Sequence, residues 1–310
     1  MNRGRAVSAL QTACSRGDPE AVKRILLLEG EKRTDVHAAN EAAFRGACRR
    51  GHESVVELLL LLEGDQHIDV HAGDEAAFRK ACSCGHEAVV RLLLSLDGDR
   101  RIDVHAKSEA AFRTACENGH EGIVELLLTL EGEQYVDVHA KSEAAFRAAC
   151  KNGQDGIVEL LLALGGDRLI DVHAEDEAAF QDACENGHED IVVSLLSLGG
   201  DQLVDVHAWE EAAFRGACEN GHEGIVELLL SLEGEQYVDV HAEDEEAFLS
   251  ASSSEHLGIL RLLLSLDGDR QINVHVMAEA AFRNACQSGQ EEIVELLLSL
   301  DGAQRVDVHA

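Results

Sequence analysis

One periodicity governs this chain. The string Asp-Val-His-Ala begins at Asp35, Asp69, Asp103, Asp137, Asp171, Asp205, Asp239 and Asp307, and the variant Asn273-Val274-His275-Val276 fills the one gap, so every step is 34 residues. All eight phenylalanines keep the same register (Phe44, Phe78, Phe112, Phe146, Phe180, Phe214, Phe248 and Phe282), with Leu10 in the matching place of the first unit. Eight of the nine cysteines do so too: Cys14, Cys48, Cys82, Cys116, Cys150, Cys184, Cys218 and Cys286. Nine units fill residues 1–310 without a linker, which predicts a single domain. A period between about 20 and 50 residues marks a solenoid or propeller, in which each unit buries its apolar face against its neighbours.

Within a unit, Ser108-Glu109-Ala110-Ala111-Phe112-Arg113-Thr114-Ala115-Cys116 reads as a short helix with a capping residue and an acid in its first turn. The same capping slot holds Asn40, Asp74, Ser142, Asp176 and Asp244. Gly119 is placed to stop this helix in the left-handed conformation, and His120-Glu121 opens the next. In that second helix Ile123, Val124, Leu126, Leu127, Leu128 and Leu130 leave little beyond Glu125 and Thr129 for solvent, so it is expected to be wedged between neighbours and to end at Gly132. The stretch from Glu133 to Lys141 carries Tyr135, Val136 and Val138 and reads as an extended finger or a tight hairpin.

A helix, Ala-Cys-x-x-Gly-His, Ile-Val-Glu-Leu-Leu-Leu and an Asp-Val-x-Ala finger, repeated every 34 residues, resembles the ankyrin repeat, and the resemblance covers all nine units. It implies an all-α solenoid of helix-turn-helix units joined by extended fingers. Two departures stand out: the family's Thr-Pro-Leu-His is Ala-Ala-Phe-Arg here, as at Ala42 to Arg45, and no glycine turn lies between Ala38 and Asn40. The variant is similar to arrays in large DNA viruses of protists and in some algae and amoebae.

The ladders read as structural. His37, His71, His105, His139, His173, His207, His241, His275 and His309 recur at a spacing set by stacked helices roughly 8–10 Å apart, too far for adjacent rungs to ligate one ion, which needs ligands at about 2 Å. The resemblance implies that they bond backbone within and between fingers. The Gly-His residues His52, His86, His120, His188, His222 and His256 occupy another family structural slot. The cysteine rungs stand too far apart for disulfides, which need Cα atoms within about 7 Å, and read as small packing residues. Out-of-register Cys84 is expected to be exposed and reactive. Glu41 and Arg45, and the equivalent pairs through Glu279 and Arg283, sit four apart, which predicts helix-surface ion pairs worth about 0.2–0.5 kcal/mol each.

Nothing catalytic interrupts the period. No acid–base pair, Ser-His-Asp grouping, phosphate-binding glycine loop or paired metal ligands stand out, so neither an enzyme nor a cofactor is expected. With 59 acidic against 26 basic side chains the net charge is −33 with neutral histidines, which argues against nucleic acid and for a partner with basic surface. The first 25 residues hold Arg3, Arg5 and Arg16 but no long apolar run, and no window reaches the roughly 20 apolar residues of a membrane span. A cytoplasmic location is the default expectation.

Where near-identical units disagree, function is expected. In the first helix the residue after the arginine slot varies, including Lys80, Thr114, Ala148 and Asp182, and the resemblance implies that this position faces a concave binding surface. On the finger, the residue before the β-branched pair is basic or polar in the outer units but Tyr135, Leu169, Leu203 and Tyr237 in the middle four, and Trp209 follows one Asp-Val-His-Ala string. These five form either an apolar binding stripe rimmed by acids or a set of finger-to-finger packing contacts. The expected function is a protein-interaction scaffold or adaptor, the alternative a structural or self-associating solenoid. The last unit keeps Ile293, Val294, Leu296, Leu297, Leu298 and Leu300 like an interior repeat, which predicts a longer array past Ala310 or weak self-association of an otherwise monomeric chain. The eighth repeat is degenerate, with Glu255 in the helix-stop glycine slot, Ser252 for cysteine, Leu249 for arginine and Glu246 for alanine.

Overall fold

A computed structural model describes residues 3–28 and 33–308. His309 and Ala310 lie outside the described residues. Each 34-residue unit contributes two antiparallel-type helices separated by a tight turn, such as Ala106–Glu117 followed by Glu121–Leu128, and eighteen helices in nine pairs occur among the described residues. The chain divides into two compact units. The first comprises residues 1–149 and 156–170, the second residues 150–155 and 171–310. Within each, the first helices of successive repeats pack on one another and on their own second helices.

The register of the phenylalanines and cysteines is the register of the core. Phe44, Phe78, Phe112 and Phe146 in the first unit, and Phe180, Phe214 and Phe248 in the second, are fully buried, as is Leu10. The cysteines at positions 14, 48, 82, 116, 150, 184 and 218 are buried and Cys84 is exposed. Cys286 departs from the expectation of eight buried rungs: it is exposed, because the last described repeat has no following repeat packed on that face. In the second helix Ile123, Val124 and Leu127 are buried while Glu121, Glu125 and Thr129 face solvent.

Three expectations about the connections are corrected. No strand occurs among the described residues, so the hairpin reading fails. The second helix ends at Leu128, and Gly132 instead opens a single 3₁₀ turn, Gly132–Gln134, at φ +63°, after which the chain runs extended. The β-branched residues do not pair across a ladder; Val136 and Val138 point into the core at 1% and 2% exposure.

The capping slot is the third correction. Asn40, Asp74, Ser108, Ser142, Asp176 and Asp244 have φ between +53° and +58°, whereas a capping residue sits in the β region, so they do not cap. Each is the middle of three successive left-handed residues, for example Lys107, Ser108 and Glu109 at φ +59°, +55° and +57°. A left-handed turn of L-residues costs about 1 kcal/mol or more per residue, so its own side chains must hold it. They do, through the buried glutamate that ends it and, in the repeats that keep it, the arginine four residues on.

Candidate functional site

The best-defined polar structure is the histidine ladder. In one rung, the Asp103 carboxylate accepts the backbone N–H of His105 (3.0 Å) and fixes the entry to the left-handed turn. That turn carries Glu109 inward to 3% exposure, where its Oε1 lies 2.5 Å from His105 Nδ1 and accepts the backbone N–H of Asp137 in the next finger (3.4 Å). On the other side of the ring, Nε2 lies 2.8 Å from the carbonyl of Glu133, also in the next finger. The arrangement recurs with His37, His71 and His139 in the first unit and with His173, His207 and His241 in the second.

A carbonyl only accepts, so Nε2 must carry a proton, and the short Nδ1–Oε1 contact holds another. Each rung therefore binds one proton more than a neutral imidazole beside a free carboxylate. The hydrogen bond to the glutamate, helped by the finger carbonyl, raises the pKa of His37, His71, His139, His173 and His207 above the usual imidazole value; at His105 the same glutamate bond outweighs burial. At His241 burial opposes the charge, but the Asp269 carbonyl and Glu245 outweigh it. The expected Glu–Arg helix pairs are thereby corrected: the glutamate turns to the histidine four residues before it, and Arg113 donates to the carbonyls of Ser108 and Lys107 (2.8 and 3.3 Å). The ladder is structural, and among the described residues no cluster of three or more His, Cys, Asp or Glu could hold a metal ion.

The Gly-His histidines join repeats in a second way. His52 Nε2 lies 3.1 Å from the carbonyl of Ser15 at the end of the preceding first helix, and His256 Nε2 lies 2.9 Å from that of Glu219. A cationic or N–H donor at a helix C-terminus satisfies a carbonyl that the helix leaves open.

The variable positions divide between the two compact units. In the first, Tyr135 and Leu169 are 38% and 47% exposed at finger tips; in the second, Leu203, Tyr237 and Trp209 are 40%, 45% and 64% exposed. The packing alternative applies to one face of each tyrosine. The Arg168 guanidinium sits 4.9 Å from the Tyr135 ring centroid and donates to the Leu128 carbonyl (3.1 Å), and Arg270 stacks at 4.6 Å on Tyr237 while donating to Leu230 (2.9 Å). Both tyrosines stay exposed beside these arginines, and the Tyr135 hydroxyl donates to Asp167 Oδ1 (3.4 Å). Trp209 is not a finger residue but the first residue of a left-handed turn, as is Met277, which stands in the same variable row of the sequence and is also exposed.

On the first helices Lys80 is exposed and Ala148 half-buried. Thr114 closes its hydroxyl onto the Ala110 carbonyl (2.8 Å), and Asp182 pairs with Lys151 (2.9 Å). Both are thus partly engaged within the chain.

The model of the family described as ankyrin repeats matches three times, over residues 44–142, 114–208 and 214–309. The chain belongs to the ankyrin-repeat family. Among solved structures it is similar to the crystal structure of the human ASB11 ankyrin repeat domain, at 20% identity over 66% of this chain and 95% of that one, with a TM-score of 0.49. No curated protein matches the sequence. Ankyrin repeats are generally protein–protein interaction modules and generally non-catalytic. Among the described residues, no helix of this ankyrin chain is long and apolar enough to cross a membrane.

Proposed function

We propose that this ankyrin chain is a non-catalytic scaffold or adaptor of the cytoplasm that binds a protein partner through its finger tips, left-handed turns and first-helix surface. The carrying observation is the exposure of large apolar side chains in both compact units, Tyr135 and Leu169 in the first and Leu203, Tyr237 and above all Trp209 in the second, on a chain of charge −33. Large aromatic side chains give much contact area for little lost side-chain freedom, and an acidic field draws a basic partner. Lys80, Thr114, Ala148 and Asp182 complete the proposed surface.

The test is a pull-down from a cytosolic extract with wild type beside Trp209→Ala and Tyr237→Ala, each checked for an unchanged melting curve. Each substitution is expected to weaken the captured partner's binding by about 2 kcal/mol. Normal binding by both would refute the surface. A second reading, self-association through the last repeat, rests on Phe282 being only half-buried while Cys286 and Leu298 are exposed.

A further inference from the structure

The arginine of the Ala-Ala-Phe-Arg segment shares a task across the repeats that keep it. It folds back over the left-handed turn and donates to the turn's outward carbonyls. Arg79 bonds Asp74 and Gly73 (2.8 and 3.0 Å), Arg147 bonds Ser142 and Lys141 (2.9 and 3.3 Å), and Arg215 bonds Glu210 and Trp209 (2.9 and 3.0 Å). Arg45 and Arg283 each keep one such bond, and Gln181, the only other donor type in the slot, keeps the one to Asp176.

In the eighth repeat the slot holds Leu249, and no side chain among the described residues donates to the carbonyls of Glu243 or Asp244. A cleft of about 410 Å³ opens there, lined by Leu249 and Met277 and by the acids Glu219, Glu243, Asp244 and Glu246. Glu246 replaces an alanine and adds a carboxylate that Arg215 of the preceding repeat already reaches, so the cleft attracts guanidinium groups within the chain itself.

We propose that this cleft receives an arginine side chain of a partner peptide, which takes the place that the chain's own arginine holds in the sister repeats. This rests on the reading of the chain as a protein-binding module and names one chemical feature of the partner. The incoming guanidinium donates to the carbonyls of Glu243 and Asp244 as Arg79 does to Gly73 and Asp74. The carboxylates of Glu219, Asp244 and Glu246 supply the countercharge, and the aliphatic stem lies against Leu249 and Met277. Arginine is favoured over lysine because two carbonyls of adjacent residues match a planar fork with several donors, not a single point charge.

The probe is N-acetyl-arginine amide, titrated into the full-length isotope-labelled protein and followed by amide chemical shifts, beside N-acetyl-lysine amide. Shifts are expected at residues 243–250 and at Met277, with the lysine analogue roughly tenfold weaker. Leu249→Arg, which restores the sister-repeat residue, is expected to abolish these shifts while melting no lower than wild type; Glu246→Ala, again the sister residue, weakens them without filling the slot. Equal shifts in every repeat would mean mere counterion binding to an acidic chain and would overturn the proposal. So would shifts that persist in folded Leu249→Arg, or that Glu246→Ala leaves untouched. Trp209→Ala leaves this titration intact, so a failure of the finger-tip surface and a failure of the cleft are read separately.

Discussion

A single atom decides which repeats can be neighbours. Gly221 adopts φ +82°, and a Cβ built on it would lie 2.5 Å from Cε1 and 2.6 Å from Nδ1 of the His256 ring. Gly221→Ala therefore carries two costs. The left-handed conformation costs an alanine about 1 kcal/mol. To escape the clash the ring must swing away from the Glu219 carbonyl, losing a hydrogen bond worth about 1 kcal/mol and some packing. The expected total is about 2–3 kcal/mol. The chain itself shows how the second part is avoided: Glu255, at φ +66°, is followed 35 residues later by Gln290, whose flexible amide reaches both the Ser253 carbonyl (3.4 Å) and Glu255 Oε1 (3.2 Å). In a urea-denaturation double-mutant cycle, Gly221→Ala in the His256→Gln background should cost only about 1 kcal/mol, a coupling of about 1–2 kcal/mol. Glu255→Gly, which relieves only the backbone, should raise stability by about 1 kcal/mol or less. Additive effects at positions 221 and 256, with no coupling beyond about 0.3 kcal/mol, would refute the steric argument.

Two further outcomes follow from groups already described. The raised pKa of His37, His71, His105, His139, His173, His207 and His241 means that the folded chain holds protons the unfolded chain releases. The stabilisation is full below about pH 6.5 and lost as pH rises through the raised values, so the melting temperature should fall as the pH is taken up from about 6.5 through the raised histidine values. A melting temperature that is flat or rising over that range would contradict the rung geometry. For the thiols, burial pushes Cys14 up to about 12 and the six rungs from Cys48 to Cys218 higher still, so an alkylating reagent should label only Cys84 and Cys286 in native protein, as counted by intact mass. Labelling of Cys48 or Cys116 at a comparable rate would show that the repeats open readily.

The repeat arithmetic was legible because packing rows recur with the sequence period: Phe112 and Cys116 announce the buried row directly. The left-handed turn was not. Its first position accepts Ala39, Lys107, Glu175 and Trp209 alike at positive φ, and among the described residues only Gly73 carries the usual signature of that conformation there. Without the turn, Glu109 has equally spaced partners on either side, His105 before it and Arg113 after it, and helix-surface rules select the arginine. Reversal of handedness between Ala106 and Ala110 is what turns the carboxylate inward. The exposure of Tyr135, Tyr237 and Trp209 could be read from their variability among conserved-looking rows, since packed rows tolerate little change. The cleft at Leu249 left a trace, the missing arginine, but what that arginine binds is backbone, which no side-chain pattern records.

The contact between each helix-stop residue and the ring of the following repeat also imposes a grammar on the order of units. A unit that opens its second helix with glutamine, as at Gln154 and Gln290, tolerates a predecessor with either glycine or a larger residue at the stop. A unit that opens with histidine tolerates only glycine before it. Duplication or exchange of whole 34-residue segments is therefore directional: the eighth segment, ending its first helix at Glu255, can be followed only by a glutamine-bearing segment such as the ninth. Moved ahead of any histidine-bearing segment, it would disrupt a junction although both segments were unchanged.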